Sequence, residues 1–415
     1  MSDEDRGERR LLGAVVLAVL ISQVLLYPGV PSLVVALGAP AGIDAGMWFL
    51  VAEFGAFVSF AVVWGALSDA LGERVPLIVV GALGGAASYA ALAAVPEFGF
   101  GFRAALVVRV VGGALTIGAF SLAITSLMDL RGGHGRNMGA AGTAIGLGAA
   151  VGAVVGGALA DLDPFYPVYA GAVVLAGAGL LAVTVDDRAG GSPSDGERDG
   201  TDLGFREVLA QARTTRGLLV PLAFGFVDRL TAGFFALVGV YYFQDPSTFG
   251  LSAAGAGATL ALFFVPFALL QSPLGSLSDR VGRFLPVVVG SIAYGVVTVG
   301  VGVAPTYPLA AGLMVLVGVC GALMAPATMA LVTDLVEPEA RGAAMGLFNV
   351  FGSLGFLAGF LVGGAATGAF GYAPAFLVVG GLELAIALAL FPAVRAIAPG
   401  DGLLGLRGAE GSLSK

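Results

Sequence analysis

Cysteine, histidine and lysine each occur once in this chain, as Cys320, His134 and Lys415. A single cysteine excludes a disulfide framework and any multi-cysteine metal site. A single histidine excludes two-histidine metal motifs and histidine-pair proton relays. No phosphate-binding Gly-x-x-x-x-Gly-Lys-Ser/Thr loop occurs, which argues against an ATP-driven pump. No Ser/His or metal-ligand cluster marks a membrane enzyme, so neither enzymatic activity, nor a cofactor, nor a metal is expected. Charge is scarce as well: 12% of residues are Asp, Glu, Lys or Arg, and their balance is −8. A soluble domain carries about 25% charged residues. The acidic excess leaves no basic footprint for nucleic acid.

What is present is apolar. Hydrophobic residues make up 58% of the chain, and the mean hydropathy is +0.96. Such a chain cannot cover itself with polar surface in water, so a membrane protein is expected. Twelve apolar segments can be marked, at about 11–37, 45–67, 76–96, 101–127, 138–160, 164–185, 217–243, 253–277, 284–304, 308–335, 342–368 and 373–397. Each meets the need for about 20 residues to cross roughly 30 Å of hydrocarbon. The 67 glycines fall largely inside these segments, where they favour close helix packing.

Orientation follows from the basic residues. With a cytoplasmic N-terminus, 17 of the 20 lie in inside loops or tails, while Arg109 and Arg229 sit within segments and Arg103 at an outside boundary. The outside loops instead carry Asp44, Glu97, Asp161, Asp163 and Asp245. The expected organisation is a tail (1–10), a six-helix bundle (11–185), a cytoplasmic linker (186–216), a second six-helix bundle (217–397) and a tail (398–415). Within the linker, residues 203–213 have the pattern of a short amphipathic helix.

The two halves repeat. Gly65-x-Leu67-x-Asp69-x-x-Gly72-x-Arg74 returns as Gly275-x-Leu277-x-Asp279-Arg280-x-Gly282-Arg283, 210 residues later at its start. Gly148, Gly152, Gly156 and Gly157 in the fifth segment return as Gly355, Gly359, Gly363 and Gly364 in the eleventh, at an offset of 207. Gly113-Ala-Leu115 in the fourth aligns with Gly321-Ala-Leu323 in the tenth at 208, which pairs Arg109 with Val317. Three landmarks in one order indicate two homologous halves. Glycines four apart form one ridge, either as static packing or as a sliding contact between the halves. The small stretch Ser252–Ala258 is a partner for the fifth segment.

With these motifs the chain resembles the major facilitator superfamily along about 385 residues, all but the tails. The loop motif matches in both copies, better in the second. Arg109 and Gly113 match the family's Arg-x-x-x-Gly. The glycines of the fifth segment and the pair Pro28 and Pro31 resemble its 12-helix drug–proton antiporters. Ala153 stands where the antiporter motif has proline, and Ala70 and Glu73 replace two arginines in the first loop motif. The resemblance implies an all-α fold of two pseudo-symmetric six-helix bundles. It also implies alternating access and a proton-transfer role for the arginine at position 109.

Charged residues inside a bilayer are functional candidates. Arg109 needs a carboxylate, a carbonyl or water. Asp228 and Arg229 lie mid-segment, as a titrating group with its holder or as a local charge pair. Glu53 is a further candidate for proton coupling; Glu383 ranks below it because the twelfth helix is peripheral in the resembling fold. Gln23, Tyr27 and Gln271 are cavity candidates, whereas Trp48, Phe49 and Trp64 read as packing or interface aromatics. Asp69 and Asp279 are expected to latch the N-termini of the eleventh and fifth helices across the halves, with Arg74, Arg280 and Arg283 completing the cytoplasmic gate. The alternative is a set of topology-setting charges in tight turns. The expected function is secondary transport of a small molecule, by proton-coupled efflux or else by proton-coupled uptake of a metabolite or organic anion. The expected partners are the substrate, protons and the lipid bilayer. The expected form is a monomer in the plasma membrane with both termini cytoplasmic.

Overall fold

The computed structural model describes residues 3–130, 134–185, 216–337 and 340–397. The linker up to 215 with its amphipathic segment, residues 1–2 and the tail 398–415 lie outside the described residues, which contain helices and no strand. The spans are α1 (Gly7–Ala36), α2 (Ile43–Leu71), α3 (Val75–Ala94), α4 (Phe102–Asp129), α5 (His134–Ala160) and α6 (Tyr166–Ala182). The second half supplies α7 (Leu219–Gln244), α8 (Ala253–Val281), α9 (Phe284–Gly302), α10 (Tyr307–Asp334), α11 (Arg341–Phe370) and α12 (Tyr372–Ile397). Eleven are long and apolar enough to cross a bilayer; α6, with 17 residues, is shorter than the 164–185 span expected. Pro167 sets its start, and at its end the chain leaves the helix in a turn where Thr184 gives its hydroxyl to the Leu181 carbonyl (2.7 Å).

The halves are built alike. In the first, α1 packs on α5 and α6, α4 on α2 and α3, and α3 on α6; in the second, α7 packs on α11 and α12, α10 on α8 and α9, and α9 on α12. The largest contacts between the halves are α5 with α8 and α2 with α11. These too are exchanged by the repeat.

The structure corrects one offset. Both α4 and α10 contain 28 residues, which places Phe102 opposite Tyr307. Gly113 rests on the backbone carbonyl of Glu53, and Gly318 rests in the same way on that of Phe263. Gly113 therefore corresponds to Gly318 rather than Gly321, and Arg109 to Met314 rather than Val317. A shift of three residues is nearly one helical turn, so it preserves the face of the helix and leaves sequence similarity unable to choose.

The loop motif explains its own glycines. Gly72 (φ 67°) and Gly282 (φ 88°) end α2 and α8 with positive φ, where a side chain is strained. The arginine after each turn then ties its half together. Arg74 pairs with Asp129 at the end of α4, and Arg283 with Asp334 at the end of α10 (3.2 Å).

Two glycine ridges face inward within the halves. A Cβ at Gly148, Gly152 or Gly156 would strike α1 at Leu17, Ile21 or Leu25; one at Gly355, Gly359 or Gly363 would strike α7 at Phe226, Leu230 or Phe234. The contact between the halves expected of these ridges is made instead by the adjacent face of α5. Ala153 and Gly157 meet Gly257 and Ala253 of α8, both within the small stretch at 252–258.

Helices α1 and α7 are each interrupted at equivalent places. Tyr27–Gly29 is a 3₁₀ turn, whereas Phe235–Gly239 is a π turn. In α1 the cause is the proline pair: Pro31 has no N–H for the Tyr27 carbonyl, which takes that of Val30 instead.

The halves meet at the end opposite the loop motifs. There Gly46 touches Tyr241, Met47 touches Gly364, and Gln244 Nε2 donates to the Pro28 carbonyl (2.8 Å). Asp161 accepts the N–H groups of Ala253 and Ala254 at the start of α8 (2.8 and 3.2 Å). Asp245 anchors the adjoining loop by accepting from Ser247 and from Tyr372 (3.0 Å); the Ser247 hydrogen bond holds its carboxyl below the usual range. At the motif end, α2 and α8 are exposed on nearly every side over their last three turns, with only Trp64, Ser68 and Ser278 buried. A helix with lipid on one side and a closed interface on the other would bury half its surface. The interface is therefore open at this end.

A carboxylate on a helix N-terminus contributes about 0.5–1 kcal/mol when exposed. Asp161→Ala is accordingly expected to raise, about two- to fivefold, the rate at which a membrane-impermeant maleimide labels a cysteine placed at Tyr241 in a Cys320→Ala background. Unchanged labelling would remove Asp161 from the closure of that end.

Candidate functional site

The interior of the first half holds a buried ion pair. Arg109 of α4 pairs with Glu53 of α2, and both are buried, Arg109 to 2% exposure. Gly113 brings the helices together by letting α4 rest on the backbone of α2 at Glu53 itself. The guanidinium lies over the rings of Phe49 (4.5 Å) and Tyr89 (5.6 Å), and Tyr89 donates its hydroxyl to the Ser22 carbonyl (2.9 Å). Glu53 Oε1, Arg109 Nε and Gln23 Nε2 are buried polar atoms with no partner among the described residues. Tyr27 sits within electrostatic reach of Glu53 and Arg109. Three residues named from sequence thus gather here, Tyr27, Glu53 and Arg109, while Gln23 is buried on α1.

The second half carries no counterpart to this pair. Phe263 and Met314 occupy the positions equivalent to Glu53 and Arg109, and both are buried. Its polar groups lie elsewhere. Asp228 is buried in α7, with Arg229 Nε 3.9 Å from its Oδ2 and the Arg229 side chain 43% exposed. So long a separation leaves most of the guanidinium's hydrogen-bonding capacity unused. Behind Asp228 lies Glu383 of α12, fully buried. Ser291 Oγ donates to its Oε1 (2.5 Å), and Thr231 Oγ1 stands 3.2 Å from its Oε2.

Between the halves runs a chain of aromatic rings. Phe54 of α2 meets Phe356 of α11 at 4.8 Å, Phe57 stacks on Phe54 at 5.4 Å, and Phe120 of α4 meets Phe57 at 5.6 Å. Phe360 closes the group against Phe356 at 5.2 Å. Arg229 lies beside Gly352, one turn from Phe356, so a cation borders the aromatic surface.

The expected gate residues are not joined across the halves here. Asp279 pairs with Arg283 just across the turn that ends α8 (2.6 Å), and Arg74 and Arg283 bond within their halves. Asp69 and Arg280 form no ion pair among the described residues. An open motif end separates them from the opposite half, and the residues just before α5 and α11 lie partly outside the described set. Gln271 approaches Gly142 of α5, on the α5–α8 contact. Trp64 donates to the Ala114 carbonyl (2.6 Å) and Phe49 is buried, whereas Trp48 is exposed. Among the described residues no cluster of His, Cys, Asp and Glu is suited to a metal.

Sequence reasoning missed two features and ranked a third too low. The group of five phenylalanines has no local signature because its members lie on three helices. Glu383 ranks low by its helix, although an uncompensated carboxylate in mid-span is signal enough. Asp161 reads in the sequence only as an outside charge.

A sequence model described as Major Facilitator Superfamily matches residues 11–246 and 230–403. The multidrug efflux pump LfrA of Mycolicibacterium smegmatis is 31% identical over 118 residues, which are 28% of this chain and 23% of that protein. The matched stretch thus spans about a quarter of that relative. Among solved structures, a bacterial homolog of the human lysosomal transporter Spinster, inward-facing and unoccupied, superposes with a TM-score of 0.79 at 15% identity, covering 96% of this chain and 98% of that one. The human organic anion transporter MFSD10 (TETRAN) gives 0.69 at 21% identity, covering 95% and 100%.

Proposed function

The chain belongs to the major facilitator superfamily of membrane transporters, and from that premise we propose that it is a proton-coupled exporter of small, largely apolar compounds that works by alternating access. One observation carries the reading: the buried Glu53–Arg109 pair exists in one half only. The equivalent Phe263 and Met314 show that the fold itself is served by apolar residues at these positions. Replacing a buried pair with apolar groups is often neutral or stabilising, so retention of the pair calls for a use. Proton binding by Glu53, with release of Arg109 from the pair, supplies one.

The motif end is assigned to the cytoplasm by the basic residues, so the open interface faces inward. A substrate entering from the cytoplasm meets the Phe54–Phe57–Phe120–Phe356 surface, which suits flat apolar molecules. When the motif end closes, Asp69 and Asp279 take up the N-termini of α11 and α5 while Asp161 releases α8. The protein acts as a monomer in the plasma membrane, with both tails cytoplasmic. LfrA, a multidrug efflux pump, fits the outward direction.

Proton-coupled uptake of an organic anion is the second reading. The half-exposed Arg229 beside the aromatic surface favours it, and MFSD10 is a structural neighbour with that kind of substrate.

Proteoliposomes separate the two. Ethidium and benzoate are tested as probes, with a proton gradient imposed in either direction. Export predicts that a gradient driving protons out through the protein's cytoplasmic face moves ethidium the opposite way. Movement of benzoate together with protons would instead establish the second reading. Probe movement indifferent to both gradients would overturn proton coupling altogether.

A further inference from the structure

The acid at position 383 has no cation to face. The elements packed against α12 are α7, α9 and α11. From α7 come Asp228, Arg229 and Thr231; from α9 come Ser291 and Tyr294; α11 carries no charged residue beyond Arg341 at its first position. Cys320 of α10 lies within reach of Tyr294. Arg229 is the only basic residue in this half away from helix ends, and it inclines toward Asp228 with its side chain half exposed.

The surroundings of Glu383 offer it hydroxyls and, among the described residues, no cation. The Thr231 hydroxyl has one proton and two neighbours, each 3.2 Å away: the Val227 carbonyl and Glu383 Oε2. A carbonyl only accepts. Thr231 can donate to Val227 and accept from a protonated Glu383, or share its one proton between the two oxygens, so the contact accommodates a protonated acid without requiring one. Ser291 donates to the other oxygen, Oε1 (2.5 Å), as a neutral carboxylic acid permits. A carboxylate here would hold only those two hydroxyl hydrogen bonds, fully buried and with a second carboxylate at Asp228 nearby, which is a costly place for an unpaired charge.

The repeat shows that the fold does not require this acid. In the equivalent helix of the first half, α6, the buried positions are Pro167, Val168, Gly171, Leu175, Ala178, Gly179 and Ala182, all apolar. Thus each half has a buried carboxyl group absent from the other: Glu53 beside a permanent cation, and Glu383 among hydroxyls. We propose that Glu383 is a second proton-binding site, which holds its proton in this inward-open state and exchanges it during the cycle. The exchange rests on the proton-coupled reading above, whereas the binding of the proton does not. The proton leaves toward Asp228 and the open space around Arg229, the side on which α7 separates it from the aromatic surface.

The test needs no substrate. The full chain, reconstituted in lipid, is titrated from acid to alkaline pH by infrared spectroscopy, with an indicator dye counting protons released per protein. The expected result is a protonated-carboxyl C=O band at neutral pH that is missing in Glu383→Gln. That variant should also release one proton fewer than wild type over the titration. Thr231→Val, which keeps the volume and removes the hydroxyl, should shift the band without abolishing it, and it serves if Glu383→Gln does not fold. A spectrum unchanged in Glu383→Gln overturns the proposal. So does a band that persists unaltered across the titration with an unchanged proton count, since the acid would then be permanently neutral. If proteoliposomes show no proton-driven movement while the band titrates as described, the transport reading falls and the proton site stands.

Discussion

Arg109→Met is expected to lower the unfolding free energy of the detergent-purified protein by about 3–5 kcal/mol, and Glu53→Gln/Arg109→Met to recover most of that loss. The single variant leaves Glu53 buried without its cation, the situation that makes removal of one partner costly. The double variant leaves a neutral amide beside an apolar side chain, close to the arrangement that Phe263 and Met314 already show in the second half. A double-mutant cycle isolates the coupling between the two. The measurement is thermal or denaturant unfolding followed by tryptophan emission, with Trp64 reporting from the α2–α4 contact. Transport should not follow stability: the double variant is expected to fold and yet to lose proton-driven movement of the probe. Recovery of both together would reduce the pair to a structural element and remove the support for Glu53 as a proton carrier.

The second large effect concerns the ridges. Gly156→Ala and Gly359→Ala are each expected to cost about 1–3 kcal/mol. At Gly156 the added carbon meets the Leu25 backbone, with the carbonyl carbon and Cα both at 2.7 Å; at Gly359 it meets Phe234 N at 2.7 Å and Gly233 C at 2.9 Å. These are backbone atoms on neighbouring helices and cannot rotate away, so α1 or α7 must move as a body. Gly177→Ala is the control. Its Cβ meets nothing within 4 Å, and alanine's better helix propensity makes it neutral or stabilising by up to about 1 kcal/mol. If the ridge variants melt with the control, close backbone approach is not what holds α5 to α1 and α11 to α7.

Much of this architecture is legible in the chain. Span length and the distribution of arginine announce the helices, and the duplicated loop motif announces the symmetry. Gly72 and Gly282 are legible as necessary because a left-handed turn needs them. The structure adds the role of the arginine after each turn, which closes on Asp129 or Asp334 within its own half. The candidate site is legible one residue at a time. Arg109 is marked as needing a partner, but Glu53 lies 56 residues earlier on another helix, and nothing local in sequence encodes which faces of α2 and α4 meet. The offset of α10 escapes sequence comparison because three residues are almost one turn. The aromatic surface is invisible in the sequence because its rings converge only when α2, α4 and α11 assemble.

The interruptions of α1 and α7 have a consequence for how a duplicated chain diverges. Tyr27–Gly29 is wound tighter than an α-helix and Phe235–Gly239 looser. A tightened turn lengthens a helix and a loosened one shortens it, so two copies of one ancestral helix now differ in pitch at the same depth. Past the interruptions Gln244 of α7 donates to the Pro28 carbonyl of α1. A perfectly symmetric pair would present identical faces to each other along the dyad. Opposed changes of pitch give the duplicated protein a lock and a key made from the same segment.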